Sequence, residues 1–299
     1  MLAQLLRRLL YTQLLVGTAL GYYLGGAEAA LLLALALPVA TVWIGGLVSS
    51  LLARGTSPWG LWLHALMGEM RAGLLFFLLR QPWAGTPPSY LPATGGPARL
   101  PVLLVHGYVC NHRIWDELVG QLRAQGHPVV MVDLEPVFAS IDDYAPILET
   151  AATALLRESG QSQLTLVGHS MGGLAIRAWL RQHGTARVAR VLTLGTPHVG
   201  TQIAKTAPTP NGRQMQWQSP WLQALAKSED DALRRLFRIG IAPQDNIVFP
   251  QQAQILRGVQ PQLFPGIGHL QMCLDPDVQH WVLQQLAEAS LPPPPPEPA

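Results

Sequence analysis

Charged side chains are scarce in this chain. Asp, Glu, Lys and Arg make up 13% of its 299 residues, and apolar side chains make up 49%. An ordinary soluble domain carries about 25% charged residues, so this balance predicts that part of the chain sits in lipid. The formal net charge is only +2, and the basic residues are scattered. That excludes nucleic acid as a partner. Cysteine is equally sparse. Cys110 and Cys273 are the only two. No metal-type spacing links them, and they offer no disulfide framework.

Charge is thinnest near the start. From Leu9 to Ala53 the only charged residue is Glu28, which lies in Gly25-Gly26-Ala27-Glu28-Ala29. Leu9–Leu24 is long enough for a short membrane helix, and Ala30–Leu52 is long enough to span comfortably, since about 20 apolar residues cross the hydrocarbon. Residues 1–58 therefore read as an N-terminal transmembrane helical hairpin with its turn at the glycines. Two other readings are available. Arg7-Arg8, an apolar run and Ala27-Glu28-Ala29 resemble a signal peptide, but a longer apolar run follows at once. A buried core hairpin is the second, but about 45 nearly uncharged residues exceed what a soluble core needs. Arg7, Arg8, Arg54, Arg71 and Arg80 flank the spans, and the turn has no basic residue. Positive residues stay inside, so both ends and the rest of the chain are expected on the cytoplasmic side of the membrane (the inner membrane if the source is bacterial).

Residues 59–97 mix apolar and polar groups. Trp59–Trp83 carries Trp62, Leu63, Leu66 and Met67 beside His64, Glu69, Arg71 and Arg80. It reads either as an interfacial helix with Trp anchors or as a connector helix packed on the domain. Prolines at 82, 87, 88, 92 and 97 mark a linker, which predicts that residues 1–85 are separable from the rest. From Leu100 strands and helices alternate, which predicts an α/β domain with a mainly parallel sheet over residues 98–290. Strands are expected at Pro101–Val105, Pro128–Val132, Leu164–Val167, Val188–Leu194, Phe237–Ile241 and Gln262–Phe264. Residues 198–236 break the rhythm with Pro208, Pro210, Pro220, Trp217 and Trp221, then an amphipathic run to Leu236. They are expected to form a small lid or cap. Residues 291–299 are nearly all proline and predict an extended tail.

Within the α/β region, Gln163–Leu174 reads as a short strand, then Gly168-His169-Ser170-Met171-Gly172, then a helix. That order suits a nucleophile elbow. A serine hydroxyl is a weak nucleophile unless held exposed beside a base. Gly168 and Gly172 sit where a Cβ would collide, and the N–H of Met171 would face a developing oxyanion. A glycine-rich turn with a solvated serine is the plainer reading of the pentapeptide alone. Downstream, Asp245 and His269 each follow a predicted strand, where the top of an open α/β sheet places ligands. His269 would take the proton from Ser170, and Asp245 would fix its tautomer. Asp133 is the alternative acid and His198 the alternative histidine. Asp230, Asp231 and Asp275 suit helix N-termini. Val102–Tyr108 supplies a second oxyanion donor: Gly107 permits close approach, the Tyr108 N–H points inward, and His106 braces the loop.

These residues resemble those of the α/β-hydrolase superfamily, and within it the lipases and esterases of bacterial type. His106-Gly107, Gly168–Gly173, Gly195-Thr196-Pro197-His198-Val199-Gly200, Asp245–Val248 and Gly268-His269 stand where that family carries its oxyanion loop, elbow, strand end, acid and histidine. The resemblance covers about Leu100 to Glu288. It implies an α/β-hydrolase fold and a serine carboxylester hydrolase with a Ser170–His269–Asp245 triad. It implies no metal or organic cofactor, and a lipid or other apolar acyl ester as substrate. An acyltransferase with the same triad, and a non-catalytic scaffold on this fold, fit the same motifs. Cys110 and Cys273 lie near the site loops and read as small buried hydrophobes.

Overall fold

The computed structural model describes residues 1–290; the tail expected at 291–299 lies outside the described residues. The sheet has six strands, β1 (Val102–Val105), β2 (Val129–Val132), β3 (Leu164–His169), β4 (Val188–Leu194), β5 (Phe237–Ile241) and β6 (Pro261–Leu263), in the order β2-β1-β3-β4-β5-β6. Every neighbouring pair is parallel. Parallel strands bury both faces, so their sequences are continuous apolar runs. Val-Leu-Leu-Val of β1 is fully buried and splits by alternation. Leu103 and Val105 join the core under α4 (Ala145–Ser159) and α5 (Met171–His183). Val102 and Leu104 join the opposite core with α3 (Asp116–Ala124) and α9 (Pro276–Ala289).

The N-terminal helical stretch α1 (Leu2–Ala53) is two arms, not one rod. Gly25 and Gly26 leave the helical region, Gly26 with φ +76°, and the chain reverses there. The arms touch backbone to backbone: a Cβ on Gly21 would lie 2.2 Å from the Ala29 carbonyl, and one on Gly17 2.5 Å from that of Leu33. Gln13 Nε2 donates to Thr41 Oγ1 at 3.0 Å. The hairpin turn is where the glycines place it, and each arm runs longer than the hydropathy alone marks. The best 18-residue window has mean hydropathy 2.3 and is 11% buried, so its apolar sides are uncovered by protein.

α2 (Trp59–Leu74) continues through a π turn, Leu75–Arg80, and lies along the α/β domain. Ala72 and Phe76 are fully buried in the same core as Ile114, Trp115 and Val282. Arg80 is bidentate to Glu117, and Gln81 pairs with Asn111 through both its side chain and its backbone. Of the two readings of this segment, packing on the domain describes its inner face; Trp59, Leu63 and Met67 stay exposed. The helical stretch Trp59–Trp83 is also long and apolar enough to cross a membrane, with mean hydropathy 1.3, but its buried face meets protein.

The insertion at 198–236 folds as α6 (Pro210–Gln214), α7 (Pro220–Lys227) and α8 (Asp231–Arg235). The amphipathic run expected from Trp221 to Leu236 is broken by Asp230, whose Oδ1 caps α8 by accepting from Leu233 N at 2.7 Å. The insertion is tied to the loop after β2: Asn211 Nδ2 donates to the Val137 carbonyl at 2.9 Å, and Trp221 Nε1 to Asp142 at 2.8 Å.

Candidate active site

The loops at the carboxyl ends of the strands carry every candidate residue. β3 ends at His169 and α5 begins at Met171. Ser170 between them has φ +55° and ψ −127°, a conformation that L-residues other than glycine rarely adopt. Strain of this kind persists only where the surroundings enforce it. Here Ser170 N donates to the Leu194 carbonyl at 2.8 Å, and Gly173 N to the Ser170 carbonyl at 3.1 Å. Room for the turn comes from glycine. A Cβ on Gly172 would lie 2.2 Å from the Val105 carbonyl, and one on Gly168 2.6 Å from Gly173 N.

The loop after β1 reaches Ser170 directly. A Cβ on Gly107 would lie 2.7 Å from Ser170 Cβ and 3.2 Å from its Oγ. Tyr108 follows, then Val109 at φ +51°, a costly value for a β-branched residue. The amides of Tyr108 and Met171 donate to no protein acceptor among the described residues. Met171 opens a helix, where the first amides have no intrahelical partner. Both amides are therefore available to an oxyanion.

Asp245 and His269 form a buried pair. His269 Nδ1–H donates to Asp245 Oδ2 at 2.7 Å, and the exposures of His269 and Asp245 are 4% and 1%. The other oxygen, Oδ1, accepts from Ile247 N at 2.8 Å and Val248 N at 2.7 Å. The carboxylate is thus fixed, and it holds Nδ1 protonated, which leaves the lone pair on Nε2. Burial opposes the charged imidazole, but the charge and hydrogen bond of Asp245, with the charge of Glu69, raise the His269 pKa above its ordinary value. Gly195, at the end of β4, abuts the pair: a Cβ there would lie 3.1 Å from Asp245 Oδ2 and 3.2 Å from His269 Nδ1. The His169 and His269 rings lie 4.6 Å apart. Ser170, Asp245 and His269 are thereby gathered around Leu194-Gly195. Ser170 Oγ and His269 Nε2 make no hydrogen bond in this structure, a contact that tightens with substrate in many enzymes.

The alternative residues are occupied elsewhere. Asp133 accepts from His112 N at 2.8 Å and His112 Nδ1 at 3.0 Å. His198 is bound to Thr193 Oγ1 at 3.0 Å, and burial with the Arg177 charge pushes its pKa well down. His106 braces its loop: Nδ1–H donates to the Gly107 carbonyl at 2.8 Å, and Nε2 accepts from Leu134 N at 2.9 Å. Burial lowers its pKa. Asp275 caps α9 by accepting from Asp277 N and Val278 N. Cys110 and Cys273 are both buried and free, in one apolar core.

Sequence reasoning gives no site role to Asn246 or Glu69, which surround His269, and places His169 only in the elbow. Asn246 Oδ1 accepts from His269 N at 3.1 Å, and its Nδ2 donates to Ser49 Oγ of the hairpin at 2.9 Å. His169 Nε2–H donates to the His269 carbonyl at 3.1 Å. Glu69 Oε2 accepts from Leu270 N at 2.7 Å and Gln271 N at 3.2 Å. The available signal for Glu69 is that it is the one carboxylate between Trp59 and Trp83.

Comparison with known proteins agrees with this layout. Residues 101–232 match the model of the α/β hydrolase fold family. A triacylglycerol lipase of Burkholderia plantarii is 30% identical over 142 residues, which are 42% of this chain and 39% of that protein. A triacylglycerol lipase of Pseudarthrobacter phenanthrenivorans is 32% identical over 127 residues, 37% of this chain and 39% of that protein. The chain thus spans about two fifths of the length of these curated relatives. A lipase of Bacillus licheniformis in mature form superposes with TM-score 0.58 at 18% identity, covering 69% of this chain and 100% of that chain. Aspergillus fumigatus lipase B superposes with TM-score 0.57 at 18% identity, covering 68% and 56%. At such identities the likeness concerns the fold alone. The parallel sheet in the order β2-β1-β3-β4-β5-β6, the strand-to-helix turn at Ser170 and these superpositions together give the chain an α/β-hydrolase fold.

Proposed function

We propose that this chain is a membrane-anchored serine carboxylester hydrolase that cleaves lipid or other apolar acyl esters. The observation that carries the reading is Ser170 held at φ +55° on a strand-to-helix turn beside the 2.7 Å Asp245–His269 pair. In this mechanism Ser170 Oγ attacks the ester carbonyl while His269 Nε2 takes its proton. The tetrahedral oxyanion lies against the amides of Tyr108 and Met171. His269 then passes the proton to the leaving alcohol, and the acyl group remains on Ser170. Water, deprotonated by His269, releases the acid and restores the serine. Asp245 keeps the imidazole in the required tautomer and offsets its transient positive charge.

The apolar hairpin supports attachment to a bilayer, with its turn on the far side and residues 59–290 on the cytoplasmic side by the positive-inside rule. The partners on this reading are the membrane and the ester. A cavity of about 330 Å³ lies between the second hairpin arm, α2 and the loops that carry Asp245 and His269.

The test is hydrolysis of p-nitrophenyl esters from acetate to palmitate by the full chain in detergent, with wild type beside Ser170→Ala. A Ser170-dependent rate that grows with chain length supports lipid esters. Equal rates in the two proteins at every length sink the proposal. Retention in the pellet after alkaline carbonate washing, with release by detergent, is the expected outcome for the anchor; release by carbonate alone counts against it.

A further inference from the structure

The backbone that carries His269 is held from several sides. Its own amide is taken by Asn246 and its carbonyl by His169. The next two amides, Leu270 N and Gln271 N, both donate to one carboxylate oxygen of Glu69. These are the opening amides of the short turn Leu270–Cys273, which begins at His269 and would otherwise leave them unpaired. Glu69 comes from α2, about two hundred positions away in sequence. Glycines bring the surfaces together: a Cβ on Gly268 would lie 2.8 Å from Glu69 Cβ, and one on Gly68 1.9 Å from Gln271 Oε1. Glu69 is 4% exposed and has no basic partner among the ion pairs of the described residues. A buried carboxylate without a counter-charge is costly.

We propose that Glu69 is a positioning residue for His269: its carboxylate caps the turn that carries the imidazole, and its negative charge adds to that of Asp245 on the imidazolium formed in turnover. The inference rests on the hydrolase reading for the role of His269, and its test is chosen to separate the two. The groups that face Glu69 are few. His269 and Asp245 face it from the catalytic loops. Cys110 and Cys273 feel its charge, and burial raises both thiol pKa values, that of Cys110 to about 12, so both stay neutral. The hairpin residues that share its cavity, Thr41, Val42, Gly45, Gly46 and Ser49, are not ionisable. Burial raises the pKa of Glu69 itself to about 7, against the opposing pull of His269 and the two amides. Protonation of Glu69 and of His269 is therefore linked across the working pH range.

Two variants divide the roles. Glu69→Gln keeps a carbonyl to accept the amides and removes the charge. Glu69→Ala removes both. The full chain in detergent is labelled with ¹⁵N-histidine, and the His269 titration is followed by NMR beside the pH dependence of ester hydrolysis. For Glu69→Gln the His269 midpoint and the acidic limb of kcat/KM are expected to move down together by about half a pH unit or more. For Glu69→Ala the plateau kcat is expected to fall about tenfold or more, with KM little changed, because the imidazole is displaced. An unchanged His269 midpoint in Glu69→Gln overturns the electrostatic role. A plateau kcat per fluorophosphonate-reactive Ser170 that equals wild type in Glu69→Ala overturns the positioning role, even where that variant melts earlier. If Ser170→Ala hydrolyses as well as wild type, the hydrolase reading fails, and the His269 titration still decides the link to Glu69.

Discussion

Ser49 Oγ accepts a 2.9 Å hydrogen bond from Asn246 Nδ2 across 197 positions of sequence, and both residues are buried. Asn246 in turn holds the amide of His269. The second hairpin arm and the two loops of the acid–histidine pair are therefore one hydrogen-bonded assembly. His64 Nδ1–H donates to the Gly266 carbonyl at 2.8 Å, and the Trp62 indole to the Ser50 carbonyl at 3.0 Å, which ties α2 into the same assembly.

This changes what a truncation is expected to do. The proline-rich stretch predicts that residues 1–85 are separable, yet Ala72 and Phe76 fill the core beside Trp115. Removing residues 1–85 should therefore expose that core and free the His269 loop. The expected product aggregates and lacks ester hydrolysis. A soluble truncated chain with the kcat/KM of the full chain would show the hairpin and α2 to be dispensable.

Substitutions at the acid separate the two carboxylates considered from sequence. Asp245→Asn should fold but lose about 10³–10⁴-fold in kcat, since the amide no longer fixes the imidazole tautomer. Asp133→Asn should keep most activity, because Asp133 serves His112 and its loop. The opposite pattern in p-nitrophenyl ester kinetics would move the acid to β2.

The difference between what is legible in the sequence and what is not has a physical cause. β4 and β5 have the bounds that their apolar runs predict, because a buried parallel strand imposes a local residue pattern. Ser170, Asp245 and His269 stand out as candidates because each lies in the loop that follows a strand. The hairpin turn is legible because only glycine readily takes φ +76°. Glu69 and Ser49 are not, since their partners Leu270 and Asn246 lie about two hundred positions away and no local pattern encodes a distant amide. The prolines at 82–97 read as a linker by composition, but buried contacts, not composition, decide where a domain ends.

Steric room at the elbow gives a prediction with an internal control. A methyl on Gly172 meets two backbone carbonyls, Val105 O at 2.2 Å and His106 O at 2.6 Å, and β1 cannot retreat without breaking its pairing. Gly172→Ala should cost about 3 kcal/mol and lower Tm by about 10 °C, with loss of Ser170 labelling. Gly120 lies inside α3, and a Cβ added there would meet nothing within 4 Å. Gly120→Ala should therefore be neutral or stabilising by up to about 1 kcal/mol. Equal melting temperatures for the two variants would contradict the close packing of the elbow on β1.

Stability should also depend on pH through Glu69. Its pKa rises from 4.5 to about 7 on folding, chiefly through burial. Between those values the unfolded chain has already released the proton and the folded chain has not. The stabilising contribution is therefore fully present below about pH 4.5 and is lost as pH rises through about 7, a change of about 3 kcal/mol. Melting of wild type against Glu69→Gln from pH 5 to pH 8 measures it. The wild type should lose stability relative to the variant over that interval, and parallel curves would place Glu69 in water rather than in the core.

A buried ion pair pins the 198–236 insertion. Arg177 on α5 pairs with Glu229 through Nε at 2.6 Å and Nη2 at 3.0 Å, with side-chain exposures of 0% and 2%. Arg177 Nη1 also donates to the His198 carbonyl at 3.0 Å. One guanidinium thus joins the helix behind the nucleophile, the loop after β4 and the 198–236 insertion. Breaking a buried pair from one side leaves an uncompensated charge, so Glu229→Gln should cost about 3–5 kcal/mol. Replacing both partners, Arg177→Met with Glu229→Leu, should cost less than the single change, because no charge is then stranded. If the pair serves only stability, the ratio of palmitate to acetate ester rates stays at the wild-type value in the double variant. If it holds the insertion over the acyl path, that ratio changes while Ser170 remains reactive to a fluorophosphonate. The second outcome is expected, because the segment that Glu229 anchors also carries Thr209, whose Oγ1 lies 3.4 Å from the hydroxyl of Tyr108 in the oxyanion loop.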